Sequence, residues 1–508
     1  MDRLSDRIDQ SRRNFLRTAT AAGALSCMAP GALNAFAGGS VKPNIILIMT
    51  DDQGYGDLGC YGSQRLNTPN IDTMADEGVR FTDFYSAAAV CTPARMGLLT
   101  GCYPARVGWE GWVLGHHIST DKGLNPDEVT IAEVLKTAGY ATTCIGKWHV
   151  GEQQPFLPAN QGFDSYYGIL KSNDQATKLY RDTTVIEDPY DQRYLTSNFT
   201  DEAVTYIQDN KDRPFFLYLP HTAPHFPLKP HPDWEGKSDA GAYGDIVEQV
   251  DWSVGRILAA LKQHNIDDNT LVIFTSDNGP RGLPEGTSYP LRGKKWESRE
   301  GGVRMPCVMR WPGTIPAGRT SDDIISMMDL LPTCAHIAGV SLDSVLPAQN
   351  TIDGINQWDV IRGAPSPANR REEILYWDGY GEFAAIRSGK WKYSVSGALH
   401  DLSEDINESQ NLASQNQAVV DELSARATAL HGEVTGSVRP MGDVNLHNWD
   451  TSTQLINRLR STGFLPRSRA AGSRTFDLTG RNTGAGNTGP FGIKINSEEN
   501  HVKKRLEF

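Results

Sequence analysis

Cys91-Thr92-Pro93-Ala94-Arg95 is the stretch of this chain whose residue types and spacing point most directly to chemistry. Proline is favoured in the first turn of a helix. Cys91 is therefore expected at a helix N-terminus, where backbone N–H groups and the helix dipole attract an anion. Arg95 lies four residues on and falls on the same helical face. A sulfur atom and a guanidinium are thereby aimed at one bound anion.

Two other places bring polar groups to the ends of apolar runs. KPNIILIMT (Lys42–Thr50) leads into Asp51-Asp52-Gln53-Gly54, and NTLVIFTS leads into Asp277-Asn278-Gly279. One Asp-Gly turn is ordinary turn chemistry, but two acidic pairs closing two buried strands are a different matter. Asp51, Asp52, Asp277 and Asn278 form an all-oxygen set, which suits a hard cation such as Ca2+ or Mg2+ and not zinc. In GKWHVG, strand alternation would send Lys147 and His149 to one side. HTAPHFP supplies His221, read as a packed histidine, and His225, fixed between prolines. PLRGKKWESREGGVRMP presents Arg292, Lys294 and Lys295 on a glycine-flanked loop, a charge run that in isolation reads as a solvated face.

The elements that must position these residues alternate between strand and helix. After Lys42–Thr50, helical spacing marks NPDEVTIAEVLKTAGY, ATTCIGKWHVG and PFFLYLP read as strands, and Asp245–Ile266 reads as a long amphipathic helix. The alternation predicts an α/β fold: a large mixed, mostly parallel sheet flanked by helices, with ligand groups beyond the strands' carboxyl ends. From about residue 376 to 434 the pattern changes to short antiparallel strands and a helix (Gln417–His431), a smaller C-terminal α+β subdomain. Residues 435–508 are polar, with segments such as RNTGAGNTGP that bury little.

The chain has 508 residues and a formal charge of −12. That balance argues against nucleic acid as partner, although local cations can invert the field inside a pocket. SRRNFLR, a small-residue apolar run and Ala35-Phe36-Ala37 compose a twin-arginine signal peptide over residues 1–37. No other segment approaches the ~18 apolar residues needed to span a bilayer, so a periplasmic or secreted protein is expected. Six of the seven cysteines lie beyond that signal. With Cys91 set aside an odd number remains, so this is not a disulfide scaffold.

From about Lys42 to Leu412 the chain resembles the type I sulfatases of the alkaline-phosphatase superfamily. Residues 91–95 fit the C-x-P-x-R signature, and GKWHVG, TAPHFP, TSDNG, LRGKK with EGGVR, and MDLLPTCAHIAGV follow in the family's order. The resemblance implies a sulfuric ester hydrolase whose Cys91 is oxidised to formylglycine. A formylglycine-generating enzyme would act there on the unfolded segment. It implies a Ca2+ site, with Mg2+ possible, made by Asp51, Asp52, residue 91, Asp277 and Asn278. Arg95, Lys147, His225 and Lys295 would surround the sulfuryl oxygens. Lys295 or His225 would protonate the leaving oxygen, and His149 would take the proton whose loss releases sulfate. Lys295 matches the family's lysine better than Lys294. KSNDQ is similar to a stretch that sets a serine, here Ser172, near the sulfate.

Thr92 and Ala94 stand where serines are commoner, and Cys102 where a larger polar residue is usual. Trp109, Glu110, Trp112, His116 and His117 form a loop after the nucleophile helix whose rings would either stack on a sugar or pack inside. A sulfated carbohydrate is the expected substrate. The alternatives are a small aromatic sulfate, a phosphoester or phosphonate monoester, and a non-catalytic glycan-binding role.

Overall fold

The computed structural model describes residues 42–109, 111–115 and 118–445, with two short strands at Thr475–Phe476 and Ile493–Lys494. The signal segment, Glu110, His116, His117 and most of the polar extension lie outside the described residues.

Seven strands form the centre of an eleven-stranded sheet: β1 (Asn44–Thr50), β2 (Val79–Tyr85), β3 (Ala141–Lys147), β4 (Ser165–Ile169), β5 (Phe215–Pro220), β6 (Thr270–Ser276) and β7 (Arg304–Arg310). Their spatial order is β2-β7-β6-β1-β5-β3-β4. β6, β1, β5, β3 and β4 run parallel, while β7 is antiparallel to both β2 and β6. Short antiparallel strands at Leu179–Arg181 and Thr184–Glu187 extend the β4 edge, a hairpin the hydrophobic pattern did not reveal because Thr184–Glu187 is wholly exposed.

Every residue of β1, β3, β5, β6 and β7 is buried. Central strands covered on both faces lose the polar alternation of a half-exposed strand, which is why they read as continuous apolar runs. Ile45, Leu47 and Met49 belong to one core with α2 (Cys91–Thr100), α3 (Ile131–Thr137) and α6 (Leu330–Ile337). Ile46 and Ile48 belong to the other, with α1 (Pro69–Asp76), α4 (Leu195–Asn210) and α5 (Gly241–Gln263). The first residues of NPDEVTIAEVLKTAGY precede α3; that helix begins at a capping box in which Thr130 and Glu133 satisfy each other's backbone N–H groups.

The C-terminal sheet has four antiparallel strands, Glu373–Trp377, Phe383–Ser388, Trp391–Ser394 and Leu399–Asp401, with α7 (Gln417–Thr435) against it. Its first strand straddles residue 375, so the sheet begins slightly before the boundary read from composition. No helix among the described residues is long and apolar enough to cross a membrane, and their cysteines are all free thiols.

Candidate active site

β1 and β6 are parallel neighbours paired from Asn44 opposite Thr270 to Thr50 opposite Ser276. The next residues of each strand are therefore side by side: Asp51-Asp52 and Asp277-Asn278. The Asp277 N–H donates to Thr50 O at 3.0 Å and the Asp52 N–H to Asp277 Oδ1 at 3.2 Å. Asp52 adopts φ 66°, a left-handed geometry that aspartate tolerates better than most residues.

α2 starts at Cys91, as Pro93 in its first turn leads one to expect, and all ten of its residues are buried. The Cys91 Sγ lies 3.4 Å from Asp51 Oδ1 and 3.2 Å from the Lys295 Nζ. Burial, reinforced by Asp51, pushes the Cys91 thiol above its ordinary range. A protonated buried thiol is a poor nucleophile, so burial disfavours thiolate chemistry by the unmodified side chain. Arg95 donates through Nε and Nη2 to Asp277 Oδ2 at 3.0 and 2.7 Å, and through Nη1 to Lys147 O at 2.6 Å.

Lys147, the last residue of β3, pairs with Asp51 Oδ2 and donates to the Ser172 hydroxyl at 3.2 Å. His149 reaches the same cleft by a route that strand alternation does not describe, since β3 has ended and His149 sits at φ 59°. Its Nε2 lies 3.2 Å from Leu114 O, and its Nδ1 is buried with no partner among the described residues. Burial, then Lys147 and Arg95, hold the imidazole well below its ordinary pKa and keep it neutral. Lys295 donates to Asp52 at 2.8 Å and is buried, whereas Lys294 and Arg292 are exposed. Burial works against the Lys295 charge, but Asp52 leads the groups that outweigh it. His225 Nε2 stands 3.5 Å from Asp52 Oδ2. His221 is fully buried beside Ser253, a packed histidine.

The donor set fits a divalent cation. Asp51, Asp52, Cys91 and His225 each offer one ligand atom, and these atoms lie within 4.8 Å of one another. Asn278 donates through Nδ2 to Asp52 Oδ1 at 2.7 Å, while its Oδ1 is buried with no hydrogen-bond partner among the described residues. Burial would raise the Asp51 pKa, but Lys147, His225, Arg95 and Lys295 hold it well below the carboxylate range. Asp277 is pushed up to about 7 by burial and by the charge of Asp51. Crowded buried carboxylates beside an orphaned amide oxygen are the surroundings a hard cation relieves.

Cys91, His149, Ser172, His225 and Lys295 line one cleft of about 250 Å³. The same cleft is walled by Val113, Asp174, Phe226, Arg281 and Trp296, none of which the sequence analysis singled out. The available signal was adjacency: Phe226 follows His225, Trp296 follows Lys295, and Arg281 comes soon after Asn278. Trp112 stands behind this wall, edge-on to Trp296 with ring centroids 5.6 Å apart. Trp109 belongs elsewhere. It is 4% exposed, in the core, and its indole N–H donates to Trp112 O at 2.9 Å, so it offers no face to a sugar.

A parallel-centred sheet with a cluster of buried cations and acids at its carboxyl edge is the architecture of alkaline-phosphatase-like hydrolases, and comparison narrows the class. The Sulfatase family model matches residues 43–340. The chain is 38% identical over 397 residues to arylsulfatase A of Homo sapiens, covering 70% of this chain and 76% of that protein. It is 37% identical over 386 residues to N-acetylgalactosamine-6-sulfatase of Canis lupus familiaris, covering 70% and 72%. Among solved structures, Ps i-CgsB in complex with k-i-k-neocarrahexaose superposes with a TM-score of 0.69 at 30% identity, covering 82% of this chain and 98% of that one. The chain belongs to the sulfatase family of the alkaline-phosphatase superfamily, enzymes that hydrolyse sulfuric esters.

Proposed function

We propose that this sulfatase removes sulfate from a sulfated carbohydrate, using a formylglycine derived from Cys91 and a divalent cation held by Asp51, Asp52, Asp277, Asn278 and residue 91. The observation that carries the reading is the placement of Cys91: buried at a helix start, against two strand-end acids and a lysine, on the floor of a cleft. Together the cation and the formylglycine would supply an oxygen nucleophile and charge neutralisation for attack on sulfur.

The chain's own residues do the rest. Arg95, Lys147, His225 and Lys295 surround the sulfuryl oxygens with charge and hydrogen-bond donors preorganised in a water-poor pocket. Ser172, bonded to Lys147, helps to orient the ester. Lys295 or His225 delivers a proton to the departing alcohol, and His149 accepts at Nδ1 the proton whose loss frees the sulfate. Carbohydrate is favoured over a small aromatic sulfate by the open aromatic wall of Trp296 and Phe226, and by relatives whose names and ligands are saccharides.

Because Cys91 is 1% exposed once folded, a formylglycine-generating enzyme must act before α2 docks. Conversion during or after synthesis followed by twin-arginine export of the folded enzyme, to the periplasm or beyond, is the sequence of events proposed. Mass spectrometry of the peptide containing residue 91 tests the modification. A parallel screen of sulfated mono- and oligosaccharides against 4-nitrophenyl sulfate, with and without chelator, tests the activity. Active enzyme with an unmodified thiol, or undiminished activity after metal removal, overturns the proposal, and higher kcat/KM on every aryl sulfate than on any saccharide overturns its substrate class.

A further inference from the structure

The cations on the floor of the cleft are each matched to a buried carboxylate: Arg95 to Asp277, Lys147 to Asp51 and Lys295 to Asp52. Arg281, on the wall, is not matched in this way. Among the described residues its ion pair is with Glu285 at 3.4 Å, and the two side chains are 46% and 25% exposed. Exposed pairs of that kind contribute little and leave the cation available to a better partner.

What holds Arg281 in place is aromatic. Its guanidinium lies over the Phe226 ring at 5.1 Å from the centroid, and Phe226 follows His225 directly. A cation–π contact of this kind uses no conventional acceptor, so the guanidinium keeps N–H donors with which to meet an oxyanion. The backbone on either side is anchored as well. The Gly279 N–H donates to Gly302 O at 3.0 Å, the Lys295 N–H to Pro280 O at 2.8 Å, and the Glu285 N–H to Gly282 O at 2.9 Å. Asp174, the acid that shares the cleft, is bonded by Ser172 and faces His225 and Lys147, so its charge is engaged toward the floor.

We infer that Arg281, presented by Phe226, is a specificity-determining residue that binds a second oxyanion on the leaving group, and that the substrate is a polyanionic saccharide carrying a carboxylate or another sulfate besides the scissile one. This rests on reading the cleft as the seat of the sulfate ester. For a protein of net charge −12, a cation at the mouth also offsets repulsion of such a substrate. A charge-assisted pair of this type corresponds to about a tenfold to hundredfold gain in affinity.

Non-hydrolysable sulfonates separate the two ideas. Calorimetry in calcium-containing buffer, on Cys91→Ala protein, compares benzenesulfonate with 3- and 4-sulfobenzoate, 1,3-benzenedisulfonate and naphthalene disulfonates of several charge spacings. At least one dianion is expected to bind about tenfold or more tighter than the monoanion. That preference should fall to near unity when Arg281→Ala is added and return in part with Arg281→Lys. The carboxylate and disulfonate arms report which oxyanion is favoured. Equal binding of mono- and dianions, or a preference that survives Arg281→Ala, overturns the role of Arg281 and leaves the sulfatase site standing. Failure of every sulfonate to bind overturns the reading of the cleft itself.

Discussion

Replacing His149 tests the arrangement most severely, because its role follows from three separate features. It lines the same cleft as Cys91. One ring nitrogen lies against Leu114 O at 3.2 Å, which leaves the other, Nδ1, as a buried acceptor with no partner among the described residues. Burial, Lys147 and Arg95 keep the ring neutral. A neutral, oriented imidazole with a free lone pair is a general base, and losing one costs ~10²–10⁴ in rate, or about 3–5 kcal/mol. The structural cost of the change is smaller: one hydrogen bond, worth ~0.5–1.5 kcal/mol, which His149→Gln can keep. Both His149→Ala and His149→Gln should therefore fold and bind metal, yet turn over about 100-fold more slowly or worse. Since the base acts after the alcohol has left, rapid mixing with 4-nitrophenyl sulfate should release one equivalent of nitrophenol per converted site and then stall. In the wild type, the lowered imidazole pKa means kcat should not fall as pH drops through the ordinary histidine range near ~6.5. Turnover within tenfold of wild type, a stall without the burst, or a wild-type titration near 6.5 that vanishes in His149→Gln would refute the assignment.

Three further outcomes follow from other parts of the structure. Asn278→Ala removes the orphaned Oδ1, and the Ca2+ or Mg2+ concentration giving half-maximal thermal stabilisation should rise by at least the roughly 10-fold that outer-shell changes already cost; an unchanged midpoint would remove Asn278 from the ligand set. His221 is held down to about 4 by burial, so its neutral form is favoured by folding. That stability is complete above ~6.5 and is lost as pH falls toward 4, about 1.3 kcal/mol having gone between pH 7.5 and 5.5. Urea unfolding of wild type and His221→Gln at those two pH values should differ in slope by that amount, and parallel behaviour would contradict it. A Cβ on Gly379 would stand 2.4 Å from Trp296 Cε3 and 2.9 Å from Val90 Cγ1, so Gly379→Ala should cost ~1–3 kcal/mol and weaken saccharide KM, read by Tm and kinetics; an unchanged Tm would mean the wall yields freely.

The parts of the site legible in the sequence are those that long-range packing forces into pattern. Asp51, Asp52, Asp277 and Asn278 were readable because β1 and β6 must be apolar on both faces, so the first polar residues mark the strand ends. Cys91 and Arg95 were readable because helical spacing is local. Strand alternation does not describe how His149 comes to lie near Lys147, since β3 has ended and His149 itself sits at φ 59°. Trp109 and Trp112 show where pattern stops: two tryptophans of one loop divide between the core and a position against the cleft's Trp296, and only the tertiary neighbours of each decide. Arg281 and Tyr380 come from loops whose composition carries no periodicity, and their meaning exists only once the fold has set Arg281 in the cleft with Cys91 and Tyr380 against Trp296.

Tyr380 also changes what the C-terminal subdomain is for. It stacks on Trp296 at 5.3 Å between centroids and meets Trp112 at 4.8 Å, while the Gly379 N–H donates to Trp296 O and the Trp112 N–H to Gly379 O, each at 3.0 Å. Lys295, one residue before Trp296, is thereby braced from the C-terminal sheet. A second tie lies beneath the loop. Lys392 donates to Glu300 at 2.8 Å and pairs with Glu408 at 3.0 Å, and Arg387 and Arg304 grip the two oxygens of Asp83 at 2.6 and 2.8 Å. Burial would raise the Glu300 carboxyl, but Lys392, Arg304 and Arg387 bring it down to about 2. Removing one partner from such a buried network leaves a charge uncompensated, at ~3–5 kcal/mol. The chain segment between Lys295 and Glu300 is thus clamped at both ends by residues from the other sheet. Two needs are met at once: the segment stays in a glycine-flanked loop that can shape a cleft, and Lys295 is held still enough for the oxyanion-binding role proposed for it. The C-terminal sheet thus supports from outside a loop that contributes Lys295 and Trp296 to the cleft, while the cleft's own lining comes from the α/β part of the chain.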